Sequence, residues 1–94
     1  MPELHFELRW DDAHTERYYS PSTAVRSYLQ AGESYPVPEL LDRARSALTL
    51  ASERVRAKYG FGCSSAMDSL ARIEQCAARY AGEPAARVLV LRMG

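Results

Sequence analysis

The segment Val88-Leu89-Val90-Leu91 decides the predicted fold. Four consecutive apolar residues are typical of a strand that is covered on both faces, so the run predicts a central position in a sheet. Near the other end of the chain, apolar and polar residues alternate over Leu4–Trp10, which is typical of a strand with one buried face and one wet face. We expect residues 4–10 and 87–92 to lie side by side.

One further strand and a short helix are predicted to follow the first strand. The second strand covers Thr15–Tyr19, comes after a polar turn at residues 11–14, and pairs antiparallel with the first. Ser20-Pro21 opens a short helix that ends at Gly32, because Ser caps free amides and Pro is tolerated in the first turn. Glu33–Pro36 is predicted to be a connector.

Two more helices are indicated by apolar residues at steps of three and four. The long helix starts at Pro38 and ends at Gly60, and a third helix begins near Ser64 and is closed by Gly82. The chain is therefore predicted to be one small α+β domain over residues 1–94, in the order ββαααβ. Its three-stranded, mainly antiparallel sheet carries the helices on one face. The edges of such a sheet invite pairing with a second copy of the chain.

The composition is that of an ordinary globular chain. Of 94 residues, 47% are hydrophobic and 26% are charged, which excludes a disordered class. Residues 1–42 hold eight acids and three bases, whereas residues 43–94 hold four acids and nine bases, so the net charge is zero. A neutral chain without a long apolar run is not expected to bind nucleic acid or to span a membrane. With two cysteines and no signal-peptide pattern, we expect a cytoplasmic protein.

Cys63 is the sharpest candidate for chemistry. It is predicted to lie at the start of the third helix, where free amides and the helix dipole stabilise a thiolate. The competing and favoured interpretation is a small buried hydrophobic residue beside Phe61. Cys76 falls in the middle of the same helix and is expected to be inert. The two thiols are thirteen residues apart, which is not the spacing of a redox or zinc motif.

No other catalytic or metal-binding pattern stands out in the sequence. His5 is placed on the polar face of the first strand and His14 in a turn, and neither has the neighbours of a catalytic triad. Nucleotide-binding motifs are missing as well. We therefore expect no metal site and no cofactor.

Two surface features have a functional and a structural explanation. Arg43, Arg54 and Lys58 on the long helix, with Tyr59 near its end, are a candidate nucleic-acid face, but a solvated helix face is favoured. The tyrosines crowded into residues 18–35 are either an interface or the rim of a small core, and these two explanations carry equal weight. They are Tyr18, Tyr19, Tyr28 and Tyr35.

Several short motifs, in their order and spacing over residues 9–74, resemble a known bacterial family. The motifs are Arg9-Trp10, Tyr19-Ser20-Pro21-Ser22, Ser34-Tyr35-Pro36, Lys58-Tyr59-Gly60-Phe61-Gly62-Cys63-Ser64 and Ile73-Glu74. They are similar to the MSMEG_0570-type nitrogen starvation response family. The first turn, Asp11-Asp12-Ala13-His14, departs from the family pattern. The resemblance implies a gene cluster with a nitrilase, a radical SAM protein and an acetyltransferase, but it carries over no activity and no catalytic residues.

Two functional hypotheses follow. The first is a small accessory or binding protein of the nitrogen-starvation response without intrinsic catalysis, whose partners are proteins of the nitrilase cluster or a second copy of the chain. The alternative is a small thiol-dependent enzyme or carrier that uses Cys63. In either case we expect the binding surface to combine two segments, residues 19–22 and 59–65. The individual residues are Tyr19, Ser20, Ser22, Tyr59, Phe61, Cys63 and Ser64.

Overall fold

The structure is a computed structural model that describes residues 3–11, 14–60 and 64–94. These residues form one antiparallel sheet with two α-helices against one of its faces. The elements in chain order are β1 (Leu4–Trp10), β2 (His14–Ser20), a 3₁₀ helix (Thr23–Ser27), β3 (Ser34–Pro36), α1 (Val37–Tyr59), α2 (Ser64–Ala78) and β4 (Arg87–Met93). The strand order is β2-β1-β4-β3, with every neighbouring pair antiparallel.

The predicted α+β class and the pairing of the two terminal strands are confirmed. β4 takes an inner position, with β1 on one side and β3 on the other. The predicted strand and helix counts are wrong in two places. Residues 34–36, predicted as part of a connector, form a fourth strand because they pair with residues 87–89 of β4. The first predicted helix is instead a short 3₁₀ helix of five residues, and the Ser22 hydroxyl caps it by accepting a hydrogen bond from the Ala24 N–H.

The core lies between the sheet and the helices. Alternate residues of β1 point into it, and Phe6, Leu8 and Trp10 are fully buried. Helix α1 packs over β3, β4 and the 3₁₀ helix, whereas α2 packs over β2. Gly60 ends α1 in the left-handed conformation (φ 86°), and its N–H bonds to the Arg56 carbonyl, as the sequence predicted. Within the described residues, no helix is both long enough and apolar enough to cross a bilayer.

The second face of the sheet is not covered by either helix. The prediction that β4 is covered on both faces is therefore wrong, because Val88 and Val90 are fully buried while Leu89 and Leu91 are half-buried. β4 bulges opposite the step from Glu7 to Leu8, so that Arg92 and not Leu91 is the partner of Glu7. Leu89, Leu91 and Arg92 consequently lie on the uncovered side of the sheet.

Helix α2 closes the outer edge of β2. The Ser69 side chain accepts a hydrogen bond from the Tyr19 N–H at 3.2 Å and donates one to the Tyr19 carbonyl at 2.7 Å. The Arg72 guanidinium donates to the Arg17 carbonyl at 3.3 Å. Three of the backbone groups that another strand would use, the Arg17 carbonyl and both groups of Tyr19, are thus occupied.

The other edge of the sheet, formed by β3, is also poorly suited to pairing with a further strand. β3 has three residues and ends at Pro36, which has no N–H to donate. The Ser34 carbonyl accepts a hydrogen bond from Arg87 at 2.9 Å. At both edges, some of the backbone groups that a second copy of the chain would pair with are thus already bonded within the molecule.

The Ser69 hydroxyl should be a measurable source of stability. Ser69→Ala leaves both the N–H and the carbonyl of Tyr19 without this partner, and we expect it to lower the free energy of unfolding by about 1–2 kcal/mol. The exposed Ser46 lies in the interior of α1, and Ser46→Ala makes the same change in helix propensity. Urea unfolding of both variants is the measurement. Equal unfolding midpoints for the two would show that the edge bonds contribute nothing.

Candidate functional site

Three different metal-ligating and acid–base side chains meet where β2 contacts α2. The Cys76 thiol donates to Glu16 Oε2 at 2.8 Å, and His14 Nε2 lies 3.1 Å from the same oxygen. Cys76 Sγ lies 3.7 Å from His14 Nε2. We call His14, Glu16 and Cys76 the Cys–His–Glu cluster. Cys76 is buried, while His14 and Glu16 keep about a third of their side-chain surface in solvent, at 32% and 27%.

Two ordinary periodicities bring these residues together. His14 and Glu16 are alternate residues of β2, so both side chains point towards α2. Cys76 follows the buried Ile73 by three positions on α2 and therefore lies on the face that packs against the sheet. The prediction that His14 lies in a turn is wrong, because it is the first residue of β2 and pairs with Trp10.

Aromatic side chains form the buried side of the cluster. Trp10 Nε1 donates to the Tyr18 hydroxyl at 3.1 Å, and that hydroxyl donates to Cys76 Sγ at 3.8 Å. The ring of Tyr80 stacks on that of Trp10 at 6.2 Å. Arg72 closes the exposed side, since its guanidinium donates to Glu16 Oε1 at 2.9 Å and lies 4.8 Å from the centre of the Tyr18 ring.

These contacts set the protonation states of the cluster. The hydrogen bond from Cys76, together with those from Arg72 and His14, lowers the pKa of Glu16 to about 2 against the opposing effect of burial. Burial raises the pKa of Cys76, and the bond to Glu16 raises it further. At neutral pH the cluster therefore holds a carboxylate and a protonated thiol. A protonated, buried thiol is a weak nucleophile.

The uncovered side of the sheet, which we call the open face, is the second candidate site. It carries four exposed arginines around a half-buried apolar centre. Its side chains are His5, Glu7 and Arg9 of β1, Arg17 and Tyr19 of β2, and Arg87, Leu89, Leu91 and Arg92 of β4.

The polar side chains of the open face are arranged in pairs across the strands. Glu7 stands between Arg17 of β2 and Arg92 of β4. Tyr19 packs edge-on against His5 at 5.5 Å, and its hydroxyl donates to Glu3 at 2.8 Å. Two depressions open on this face. One, of about 300 Å³, is lined by Arg9, Asp11, Ser34, Ala85, Arg87 and Leu89. The other, of about 120 Å³, is lined by His5, Glu7, Arg17, Arg92 and Gly94.

The sequence-predicted binding residues fall in different environments. Tyr19 lies on the open face. Ser20 and Ser22 are buried and bond within their own turn, because Ser20 Oγ donates to the Ser22 carbonyl at 2.6 Å and accepts from the Ser22 N–H at 3.3 Å. These two serines support the chain leaving β2, and their hydroxyls do not point to solvent as ligand-binding groups would.

The second predicted segment is only partly described. Tyr59, at the end of α1, is 54% exposed and lies beside the Lys58 ammonium at 5.6 Å. Ser64 is the exposed first residue of α2. Phe61 and Cys63 lie outside the described residues, so the reactive-thiol hypothesis stays a prediction.

The core explanation holds for two of the four crowded tyrosines. Tyr18 is fully buried and Tyr35 is 8% exposed.

Arg43 lies 4.7 Å from the centre of the Tyr35 ring and also bonds to Glu39. This side chain of the candidate nucleic-acid face is therefore engaged within the molecule, in keeping with the solvated-helix interpretation.

The fold and the two sites together define a small α+β domain with an arginine-rich open sheet face and a half-buried Cys–His–Glu cluster. The chain belongs to the NitG family of nitrogen starvation-induced proteins, whose family model matches residues 5–93. The resemblance inferred from the sequence motifs, to a nitrogen starvation response family, is thereby confirmed. No curated protein and no solved structure matches the chain.

The lowered pKa of Glu16 predicts a pH-dependent contribution to stability. The carboxylate of the folded protein stays ionised well below 4.5, its ordinary pKa, so its stabilising effect is complete above that value and is lost as the pH falls towards about 2. At neutral pH we expect Glu16→Gln to lower the free energy of unfolding by about 1–3 kcal/mol.

The comparison is made by urea unfolding at neutral pH and at several acidic pH values. The gap between the wild type and Glu16→Gln should narrow as the pH approaches about 2. Glu53→Gln, at an exposed position of α1, is the matched control and should change stability little at any pH. A Glu16→Gln effect that does not vary with pH would contradict the assigned pKa.

Proposed function

We propose that this chain is a cytoplasmic accessory protein of the nitrogen-starvation response that binds an acidic surface of a partner protein through its open face. The observation that carries the proposal is the set of four exposed arginines around Leu89, Leu91 and Tyr19. Arginine and tyrosine around an apolar centre are the side chains that contribute most to protein–protein binding.

The charge of the open face favours an acidic partner. Strand β4 contributes Arg87 and Arg92 and no acid over its length. Among the acids nearby, Glu3 accepts a hydrogen bond from the Tyr19 hydroxyl. Glu7 lies between Arg17 and Arg92. A planar guanidinium binds a carboxylate through two parallel hydrogen bonds, so this arrangement suits aspartate and glutamate side chains on the partner.

The size of the face suggests a reversible complex. β1, β2 and β4 each have seven residues. At about 3.3 Å per residue and about 4.8 Å between strands, they span roughly 15 by 23 Å. The area of this rectangle is smaller than the roughly 800 Å² that each partner buries in a standard stable interface. We therefore expect a weak complex whose affinity depends strongly on salt.

The proteins of the nitrilase-containing gene cluster, which the family resemblance implies, are the partners we propose, with the nitrilase first. The protonated, hydrogen-bonded state makes the Cys76 thiol a weak nucleophile in the metal-free protein, which argues against Cys76 as a catalytic nucleophile. A regulatory or assembly partner of this kind would act in the same compartment and at the same time as the enzymes of the implied gene cluster.

Charge reversal on the open face tests the proposal. Arg17→Glu with Arg92→Glu places two negative charges beside Glu7, and we expect at least tenfold weaker binding to the purified nitrilase-cluster protein. The matched control is Arg54→Glu with Arg56→Glu, which makes the same charge change at exposed positions of α1. Calorimetric titration at two salt concentrations measures both.

Two results would overturn the proposal. One is equal affinity of the two double variants for the partner, which would show that binding uses another surface. The other is no salt-dependent binding of the wild type to any protein of the cluster. Circular dichroism of each double variant shows that a loss of binding does not come from unfolding.

A further inference from the structure

We propose that the Cys–His–Glu cluster is a binding site for a divalent transition-metal ion, with Zn²⁺ the ion that it fits best. The inference stands apart from the docking role of the open face. It rests on three donor atoms of three kinds, Nε2 of His14, Oε2 of Glu16 and Sγ of Cys76, all of which lie within 4.8 Å of one another.

The distances between these atoms suit a single ion. The three atoms form a triangle with sides of 3.1, 2.8 and 3.7 Å. A point equidistant from its corners lies about 1.9 Å from each atom, slightly less than the roughly 2.0–2.3 Å of zinc–oxygen, zinc–nitrogen and zinc–sulfur bonds. An ion placed just above the plane of the triangle therefore reaches all three atoms at bonding distance.

The distance between Cys76 Sγ and Glu16 Oε2 is shorter than the distance between two ligand atoms of a bound metal ion. In a tetrahedral zinc site, ligating sulfur and oxygen atoms are about 3.5 Å apart. The 2.8 Å between Cys76 Sγ and Glu16 Oε2 is the length of a hydrogen bond through the thiol proton. Binding of the ion releases this proton to solvent, so that an S–metal bond replaces the S–H bond and the two atoms move apart by several tenths of an ångström.

The surroundings hold the ligands in place. The Arg72 guanidinium donates a hydrogen bond to Glu16 Oε1. The other carboxylate oxygen, Oε2, is directed at His14 and Cys76. The Tyr18 hydroxyl contacts Cys76 Sγ and is itself held by Trp10. Partners of this kind orient metal ligands and are needed for tight binding.

The donor set selects the ion and leaves one position open. A thiolate with an imidazole disfavours Mg²⁺ and Ca²⁺, which prefer oxygen ligands, and suits Zn²⁺. Three protein ligands leave a fourth tetrahedral position. The partial exposure of His14 and Glu16 gives water or a small ligand access to it.

The test uses the full chain freed of metal and titrated with Co²⁺, whose absorption reports its ligands. We expect one Co²⁺ per chain, visible bands typical of tetrahedral coordination, and a near-ultraviolet charge-transfer band that requires a thiolate. Addition of Zn²⁺ should displace the Co²⁺. Cys76→Ser should abolish the charge-transfer band, and His14→Ala should weaken metal binding at least tenfold.

Matched variants exist for both substitutions. Cys63→Ser replaces the other thiol and His5→Ala the other imidazole, and neither should weaken metal binding. Because Cys76 is buried, circular dichroism checks the fold of Cys76→Ser. If that variant unfolds, the metal affinity of His14→Ala, which changes a partly exposed residue, is the deciding measurement. The proposal is overturned if the charge-transfer band depends on Cys63, if His14→Ala binds as the wild type does, or if no stoichiometric binding occurs.

Discussion

The packing of α2 against β2 is the contact on which the rest of the structure depends. Residues 69, 72, 73 and 76 follow one line along α2 at steps of three and four, so they all face the sheet. Ser69 closes the strand edge, Arg72 holds Glu16, and Cys76 completes the cluster. One stripe of a fifteen-residue helix thus protects the edge of the sheet and builds a polar site beside it.

The open face follows from the small size of the chain. The two helices are both needed to bury one side of the sheet, since α1 covers β3 and β4 while α2 covers β2. No described helix is left for the second side, which keeps Leu89 and Leu91 half-buried. A sheet of alternating residues tolerates such a face when its exposed positions are charged, and the arginines supply that charge.

The sequence was sufficient for the elements with the longest and clearest periodicity. The alternation in Leu4–Trp10 and the apolar stripe of α1 are local, and both were predicted correctly. β3 was missed because its three residues show no period, and the strand exists through its pairing with β4, more than fifty positions away. The face of β4 was misjudged because an apolar run indicates burial but does not show how many layers a short chain can build.

The Cys–His–Glu cluster was missed for a related reason. His14 and Glu16 are separated from Cys76 by about sixty residues, so no ligand spacing appears in the sequence. The available signal was the alternation of His14 and Glu16 along a strand, together with a cysteine on the buried stripe of a helix. Those patterns give the face of each element, but which faces meet depends on the order of the strands.

The two candidate sites lie on opposite faces of the same strand, β2. His14, Glu16 and Tyr18 point towards α2, whereas Arg17 and Tyr19, which alternate with them, belong to the open face. The link between the two sides is Arg72, whose guanidinium bonds to the Glu16 carboxylate and to the Arg17 carbonyl. Since this link reaches Arg17 through the backbone, side chains on one side of β2 can be replaced while those on the other side keep their contacts. Effects on metal binding and on partner binding are therefore separable within seven residues of one strand.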